Sequence, residues 1–165
     1  MTSLRNVAAA TLAAAMIPFL GACADKADAP AQEATPAVAA AAGLTVSNAR
    51  VVLPPVAGNP AAVYFDLSWA GASGVTLDAV EVEGAGMTMI HDYAEADGKM
   101  KMVMADSVPL TPGTPVTFAP GGLHVMAMEP AGVLAPGGTA KVTLTLSDGT
   151  VTTVDAPVRA AGDER

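Results

Sequence analysis

The sequence predicts an all-β protein whose single domain is an antiparallel sandwich or barrel. Short runs rich in Val, Thr and Leu alternate apolar and polar residues, which is the period of a half-buried strand. The 16 Gly and 13 Pro residues cluster with Asn and Asp between those runs and mark turns. No stretch within residues 43–160 sustains a helical period, and a folded part of about 120 residues suits one domain rather than two.

The first 22 residues have the pattern of a secretory signal peptide. Arg5 precedes an apolar run from Val7 to Leu20, which is too short and too rich in alanine for a stable membrane span. The run leads into Cys23 through Gly21-Ala22, and this ending resembles a bacterial lipobox, which implies cleavage before Cys23 and a lipid on its sulfur. Cleavage by an ordinary signal peptidase is the alternative. Because Cys23 is the only cysteine and would then be an unpaired thiol outside the cytoplasm, lipidation is favoured.

The residues that follow define the location and the domain boundaries. Ala24 rather than Asp follows the cysteine, which favours the outer membrane over the inner membrane for an anchor on the periplasmic side of the bacterial envelope. Residues 23–42 are rich in Ala and Pro without a hydrophobic period, and we interpret them as a flexible tether whose last alanines could form a helical turn. The folded domain is predicted at 43–160, and residues 161–165 form a tail.

Nine strands are predicted within the domain. They span residues 44–52, 62–69, 75–83, 86–92, 99–105, 115–118, 123–128, 138–146 and 150–158. The clearest hairpin signal is Asp148-Gly149, which separates two β-type runs. On the second strand Phe65 and Trp69 share a face with Leu67 and are expected in the core, whereas Tyr64 should point to the other face.

Charge and cysteine content exclude several classes of protein. The net charge is −8, and Arg5 is the only charged side chain that is lost when the leader is removed. A chain this acidic is not expected to bind nucleic acid or anionic lipid by charge. Without a cysteine in the folded part there is no disulfide framework, no blue-copper site and no thiol redox chemistry. No Ser-His-Asp pattern is present, so we expect a binding protein rather than an enzyme.

Both histidines and seven of the nine methionines lie between Gly86 and Met128. Residues two apart on a strand share a face, so three strands would each present a stripe of soft ligands. The stripes are Met87, Met89 and His91; Met100, Met102 and Met104; and His124, Met126 and Met128. Thioether and imidazole groups together suit copper, and thioethers favour Cu(I). Methionines at this period also fill cores, so the pattern alone leaves packing open.

The spacing within these stripes carries a family resemblance. His91 is followed by ten residues, Met102, twenty-one residues, His124, one residue and Met126. This spacing resembles the copper-binding motif of the periplasmic PCu(A)C copper chaperones, and the likeness extends over roughly residues 44–158.

The resemblance implies a fold, a ligand set and a role. The fold would be a cupredoxin-like antiparallel Greek-key β-sandwich, and the four motif residues would bind one Cu(I) per domain. The acceptor would be the copper site of cytochrome c oxidase, reached directly or through another assembly factor. Met100, Met128 and Met89 are candidates for supporting the ligands. A copper-sequestering or resistance lipoprotein and a metal-free interaction module of the envelope are the alternatives that the sequence leaves open.

We expect Cys23→Ser to abolish lipid attachment, because the acyl chains would be carried on that sulfur. The variant should remain an uncleaved precursor or become soluble in the envelope, while the domain still folds and binds copper. Detergent partitioning of the two proteins measures the effect. A processed Cys23→Ser protein that stays with the membrane would contradict the lipobox interpretation.

Overall fold

The computed structural model describes residues 39–163. The described residues form eleven strands and no helix: β1 (Ala39–Ala41), β2 (Leu44–Val52), β3 (Ala61–Trp69), β4 (Val75–Val82), β5 (Met87–Ala96), β6 (Lys99–Met104), β7 (Val108–Leu110), β8 (Val116–Phe118), β9 (His124–Met128), β10 (Thr139–Leu146) and β11 (Val151–Arg159). The predicted signal peptide, Cys23 and the tether up to residue 38 lie outside the described residues. Within the described part, no helix could span a membrane.

The strands follow one another in a single hydrogen-bonded path. Its order is β6-β5-β9-β3-β2-β11-β10-β4-β7, with β1 attached to β2 and β8 attached to β3. All pairings are antiparallel except that of β11 with β2, which is parallel over two residue pairs, Val158↔Val51 and Arg159↔Val52. Strands on the two sides of this junction contribute to one buried cluster. The all-β sandwich predicted from the sequence is therefore confirmed.

The core follows the alternation of apolar residues along the strands. On β3, Phe65 and Trp69 are buried together with the residues of the same parity. Phe118 of β8 stacks on Phe65, with ring centroids 4.2 Å apart and an angle of 28° between the planes. Tyr64 points to the opposite face, as its parity predicts, but it too is buried, and the guanidinium of Arg50 lies 4.9 Å from its ring centroid.

The sheet begins earlier than the sequence predicts. Residues 39–41, assigned to the tether, form β1 and pair with the start of β2, from Ala39↔Val46 to Ala41↔Leu44. Ala42 and Gly43 both have positive φ, 46° and 93°, as a two-residue hairpin requires. The final alanines therefore form a strand and not the helical turn that the sequence allowed, because pairing with β2 satisfies their backbone groups and overrides their helix propensity.

Two further strands differ from the prediction. No strand was predicted at β7, which has Pro109 at its centre. The strand forms at the end of the sheet order, where Pro is tolerated because an edge strand leaves one row of N–H groups unpaired. β5 continues to Ala96 instead of ending at residue 92. Its extension pairs with β6, so the prediction stopped short of the segment that builds the hairpin.

We expect Phe118→Ala to lower the free energy of unfolding by about 3–5 kcal/mol, because it removes a fully buried ring from a stacked pair. Urea denaturation measures the change. Val56→Ala, at a side chain that is 61% exposed, is the control and should change stability by less than about 0.5 kcal/mol. Equal losses in the two variants would mean that Phe118 is not a core residue.

Candidate metal centre

Three adjacent strands, β6, β5 and β9, carry the predicted ligands. β5 pairs with β9 through its first half and with β6 through its second half, both antiparallel. His91 lies where the two halves meet, opposite His124 on one side and Met104 on the other. The turn between β5 and β6 is Asp97-Gly98, with φ values of 56° and 71°, which suit a tight two-residue hairpin.

One face of these strands carries both histidines and all seven methionines of the described residues. Directly opposite residues of an antiparallel pair point to the same face, and the pairs here are Met87↔Met128, Met89↔Met126, His91↔His124, His91↔Met104, Tyr93↔Met102 and Glu95↔Met100. The other face carries Ile90, Val125 and Ala127, which are buried in the core. The soft ligands therefore lie on the outward face of the layer.

Exposure decides between core packing and a surface site for most of these methionines. Met87, Met100, Met102 and Met104 are 60, 62, 45 and 62% exposed. Side chains that only filled a core would be covered, and Met is normally among the more buried residue types. Core packing, which the sequence left open, does not account for these four.

His91 and Met102 are already in contact. The Nδ1 atom of His91 lies 3.0 Å from the Sδ atom of Met102. Met102 is the pair partner of Tyr93, so this contact runs diagonally between β5 and β6. Two of the four predicted ligands thus place an imidazole nitrogen and a thioether sulfur side by side on a partly exposed surface.

The ring of His124 is buried and fixed in orientation. Its Nδ1 atom lies 2.8 Å from the carbonyl oxygen of Gly122. A carbonyl oxygen can only accept, so Nδ1–H donates this hydrogen bond and the lone pair of Nε2 is left for a metal. The ring of His91 meets it edge-on with centroids 5.8 Å apart, and Tyr93 stacks on it at 5.7 Å.

The remaining predicted residues lie around this pair of histidines on the same face. Met126 occupies the next same-face position of β9 after His124, opposite Met89 on one side and Ala62 of β3 on the other, and is half-buried. Met128 lies one such position further along, opposite Met87. Met100 pairs with Glu95 at the far end of the hairpin. Ligation by these residues stays a prediction.

Sequence reasoning missed three features of the site. Tyr93, which stacks on His124, has the same parity as His91, and this parity was a usable signal. Met104 was placed in a methionine stripe but outside the four-residue motif, and the register places it directly opposite His91. The hydrogen bond from His124 to Gly122 had no signal, because it depends on the conformation of the chain before β9.

The donor set and its electrostatics suit a soft monovalent ion. Among residues 39–163 no group of three or more His, Cys, Asp or Glu could hold a metal, so a site here would depend on methionine sulfur. Thioethers with imidazole fit Cu(I), whereas zinc takes thiolate, imidazole or carboxylate ligands rather than thioethers, and calcium and magnesium take oxygen ligands. Burial lowers the pKa of His91, and the charge of His124 lowers it further. The neutral imidazole, which is the form that binds metal, therefore persists to lower pH.

Solved structures with the same fold define the class of this domain. The copper-bound PCuAC domain from PmoF2 is 22% identical, covers 74% of this chain and 97% of its own, and superposes with a TM-score of 0.62. The apo PCuAC domain from PmoF1 is 25% identical, with coverage of 74% and 98% and a TM-score of 0.60. The solution structure of CuI-DR1885 from Deinococcus Radiodurans is 27% identical, with coverage of 71% and 78% and a TM-score of 0.54. The chain therefore has the cupredoxin-like sandwich of PCuAC domains.

The family is identified from the sequence match. The family described as "Putative lipoprotein LpqE-like" matches residues 44–158, which is more than half of the chain, and the protein belongs to this LpqE-like family. A search of the curated proteins gives no match.

The lowered pKa of His91 predicts a pH dependence of the apo protein. The unfolded chain, with a His pKa near 6.5, binds its proton first as pH falls, so the free energy of unfolding should decrease from about pH 6.5 down to the lowered pKa of His91. Above that range this group should have no effect. An NMR titration of the His91 ring measures its pKa directly.

His124→Gln provides the control for this prediction. The substitution removes the neighbouring charge, so the pKa of His91 should move back toward its ordinary value without reaching it, because burial remains the larger cause. A His91 pKa at or above 6.5 in the unaltered protein would contradict the prediction.

Proposed function

We propose that this protein is an extracytoplasmic copper chaperone that binds Cu(I) through His91, Met102, His124 and Met126. The observation that carries the proposal is the contact between Nδ1 of His91 and Sδ of Met102 at 3.0 Å, next to a buried His124 whose Nδ1 is already hydrogen-bonded. The contact supplies one nitrogen and one sulfur, and His124 offers Nε2 as a second nitrogen. Met126 supplies the second sulfur from the next position on the same face.

The comparisons support a copper protein of this kind. The related solution structure from Deinococcus Radiodurans is a CuI form and shares 27% identity with this chain over most of its length. The fold is that of PCuAC domains, among them one solved with copper bound. We propose that the role of this site is binding rather than catalysis.

Exposure of the ligands suggests how copper would be released. His124 is only 6% exposed, while Met102 is 45% exposed and lies on the edge strand β6. An incoming acceptor therefore reaches the ion from the Met102 side, and its ligands replace the thioether first. Cu(I) would move downhill to an acceptor that offers thiolates, because softer and charged sulfur ligands bind it more tightly. We propose the copper site of cytochrome c oxidase as that acceptor, either directly or through another assembly factor.

A lipid anchor at Cys23 would hold the chaperone at the periplasmic face of the envelope, with the outer membrane favoured by Ala24. The name of the LpqE-like family, which describes a lipoprotein, supports this location. The tether before residue 39 would link the anchor to the sheet. A sequestering or resistance protein would use the same ligands, so delivery has to be measured as transfer of Cu(I) to an acceptor.

The ranking of methionine and histidine variants tests the proposed ligands. His124→Ala or Met126→Leu should weaken the tightest Cu(I) equivalent at least about tenfold, or roughly 1.4 kcal/mol, in anaerobic titration of the full chain against a competing chelator. Met87→Leu, at a 60% exposed side chain of the same face, is the matched control and should have little effect.

X-ray absorption of the Cu(I) protein should show a shell of mixed sulfur and nitrogen, and Zn(II) should bind much more weakly. The assignment fails if Met87→Leu costs as much affinity as Met126→Leu. It also fails if the metal shell contains only nitrogen and oxygen.

A further inference from the structure

A crevice of about 200 Å³ lies beside the histidine site, at the edge of β5 that faces β4. Met89 and Met104 both line it, together with the exposed carboxylates Asp78 and Asp106. The two methionines are not pair partners: Met104 is opposite His91, and Met89 is opposite Met126. Two methionines that the four-residue motif does not use therefore line one crevice, together with two negatively charged residues.

The contacts of the histidines show which diagonal neighbours meet on this face. His91 of β5 contacts Met102 of β6, the residue paired with Tyr93. Tyr93 in turn contacts His124 of β9, the residue paired with His91. Both contacts run along the same diagonal, as the twist of a sheet favours.

The same diagonal arranges the methionines in rows. The row through His91, which we call the histidine row, consists of Met102, His91 and Met126. The next row, which we call the sulfur row, consists of Met104, Met89 and Met128, one residue from each of the three strands. The shared crevice independently places the first two members of that row together. Same-face residues on a strand are about 6.6 Å apart, so the two rows are neighbours within the reach of a methionine side chain.

We propose that Met104, Met89 and Met128 form a second site for a soft monovalent cation, with Cu(I) as its ion. Three thioethers without imidazole suit Cu(I) and give hard divalent ions little to bind. Asp78 and Asp106 add a negative field at the mouth of the crevice without being soft ligands. Copper binding at this row requires no proton release, because methionine does not titrate.

The second site lies beside the first and uses none of its four ligands. Met104 is 62% exposed, so an ion there would be accessible from solvent, while Met89 and Met128 are half-buried and adjoin the histidine row. The domain would hold two Cu(I) ions, the tighter one at the imidazoles and a weaker one on the sulfur row. This stoichiometry exceeds the single ion that the sequence motif predicts.

The test isolates the sulfur row by removing the imidazoles. The full chain carrying His91→Ala and His124→Ala is titrated anaerobically with Cu(I) against a competing chelator, and its metal shell is examined by X-ray absorption. We expect one Cu(I) to remain with a shell of sulfur only. Adding Met89→Leu and Met104→Leu should weaken this binding at least about tenfold.

The matched control adds Met87→Leu and Met100→Leu to the same background. It removes the same number of thioethers from the same two strands, at positions outside the row, and should leave the Cu(I) affinity unchanged. The urea midpoint of every variant is measured alongside. If the Met89 and Met104 double variant does not fold, Met104→Leu alone, at an exposed position, gives the same comparison with Met100→Leu.

The outcomes separate this site from the proposed function. Loss of all Cu(I) binding in the His91→Ala and His124→Ala protein, or equal losses in the two methionine pairs, would overturn the second site and leave the histidine site standing. If removing both histidines left the tightest equivalent of the unaltered protein unchanged, the proposed chaperone site would fail instead. Two equivalents in the unaltered protein, one of them selectively lost with Met89 and Met104, would establish the second site.

Discussion

The register of β5 against its two neighbours is the constraint on which the site depends. The strand pairs with β9 and then with β6, and His91 is the residue that belongs to both pairings. A slip by one residue would turn the histidine and its methionines into the core and bring Ile90 to the surface. Burial of Ile90, Val125 and Ala127 on the inner face opposes that slip, and the Asp97-Gly98 turn fixes the hairpin on the other side. Apolar burial on one face thus sets the positions of the proposed ligands on the other.

The site combines a rigid half with an accessible half. His124 is covered, stacked by Tyr93 and hydrogen-bonded through Nδ1, so its ring orientation is fixed before any ion arrives. Met102 lies on β6, whose six residues are all exposed. An edge strand with free backbone groups invites pairing with other chains, and Lys101, which forms a 3.1 Å ion pair with Asp97, is the type of charged residue that discourages it. If both residues bind copper as proposed, the covered His124 would hold the ion and the exposed Met102 would be the ligand that an acceptor displaces.

Most strands were predicted correctly because apolar and polar residues alternate along them in the sequence. Strands whose composition is unusual for a strand were missed or predicted too short. β7 contains a proline that only an edge position tolerates, and β1 consists of alanines whose helix propensity is overridden by pairing with β2. β5 was predicted too short because Asp92, Ala94 and Glu95 lack the apolar character of a core strand, while their pairing with β6 is made by the backbone.

The sequence by itself determined which residues share a face and how the motif is spaced, because the two-residue period of a strand is a local property. His91, Met102, His124 and Met126 could therefore be named before any contact was known. Only the tertiary structure decided which of them meet. The diagonal contact of His91 with Met102 and the stacking of Tyr93 on His124 arise from the register of β5 against β6 and β9. The crevice shared by Met89 and Met104 also needs β4, which forms its other side. The alternation of residues along one strand does not specify how that strand pairs with its neighbours.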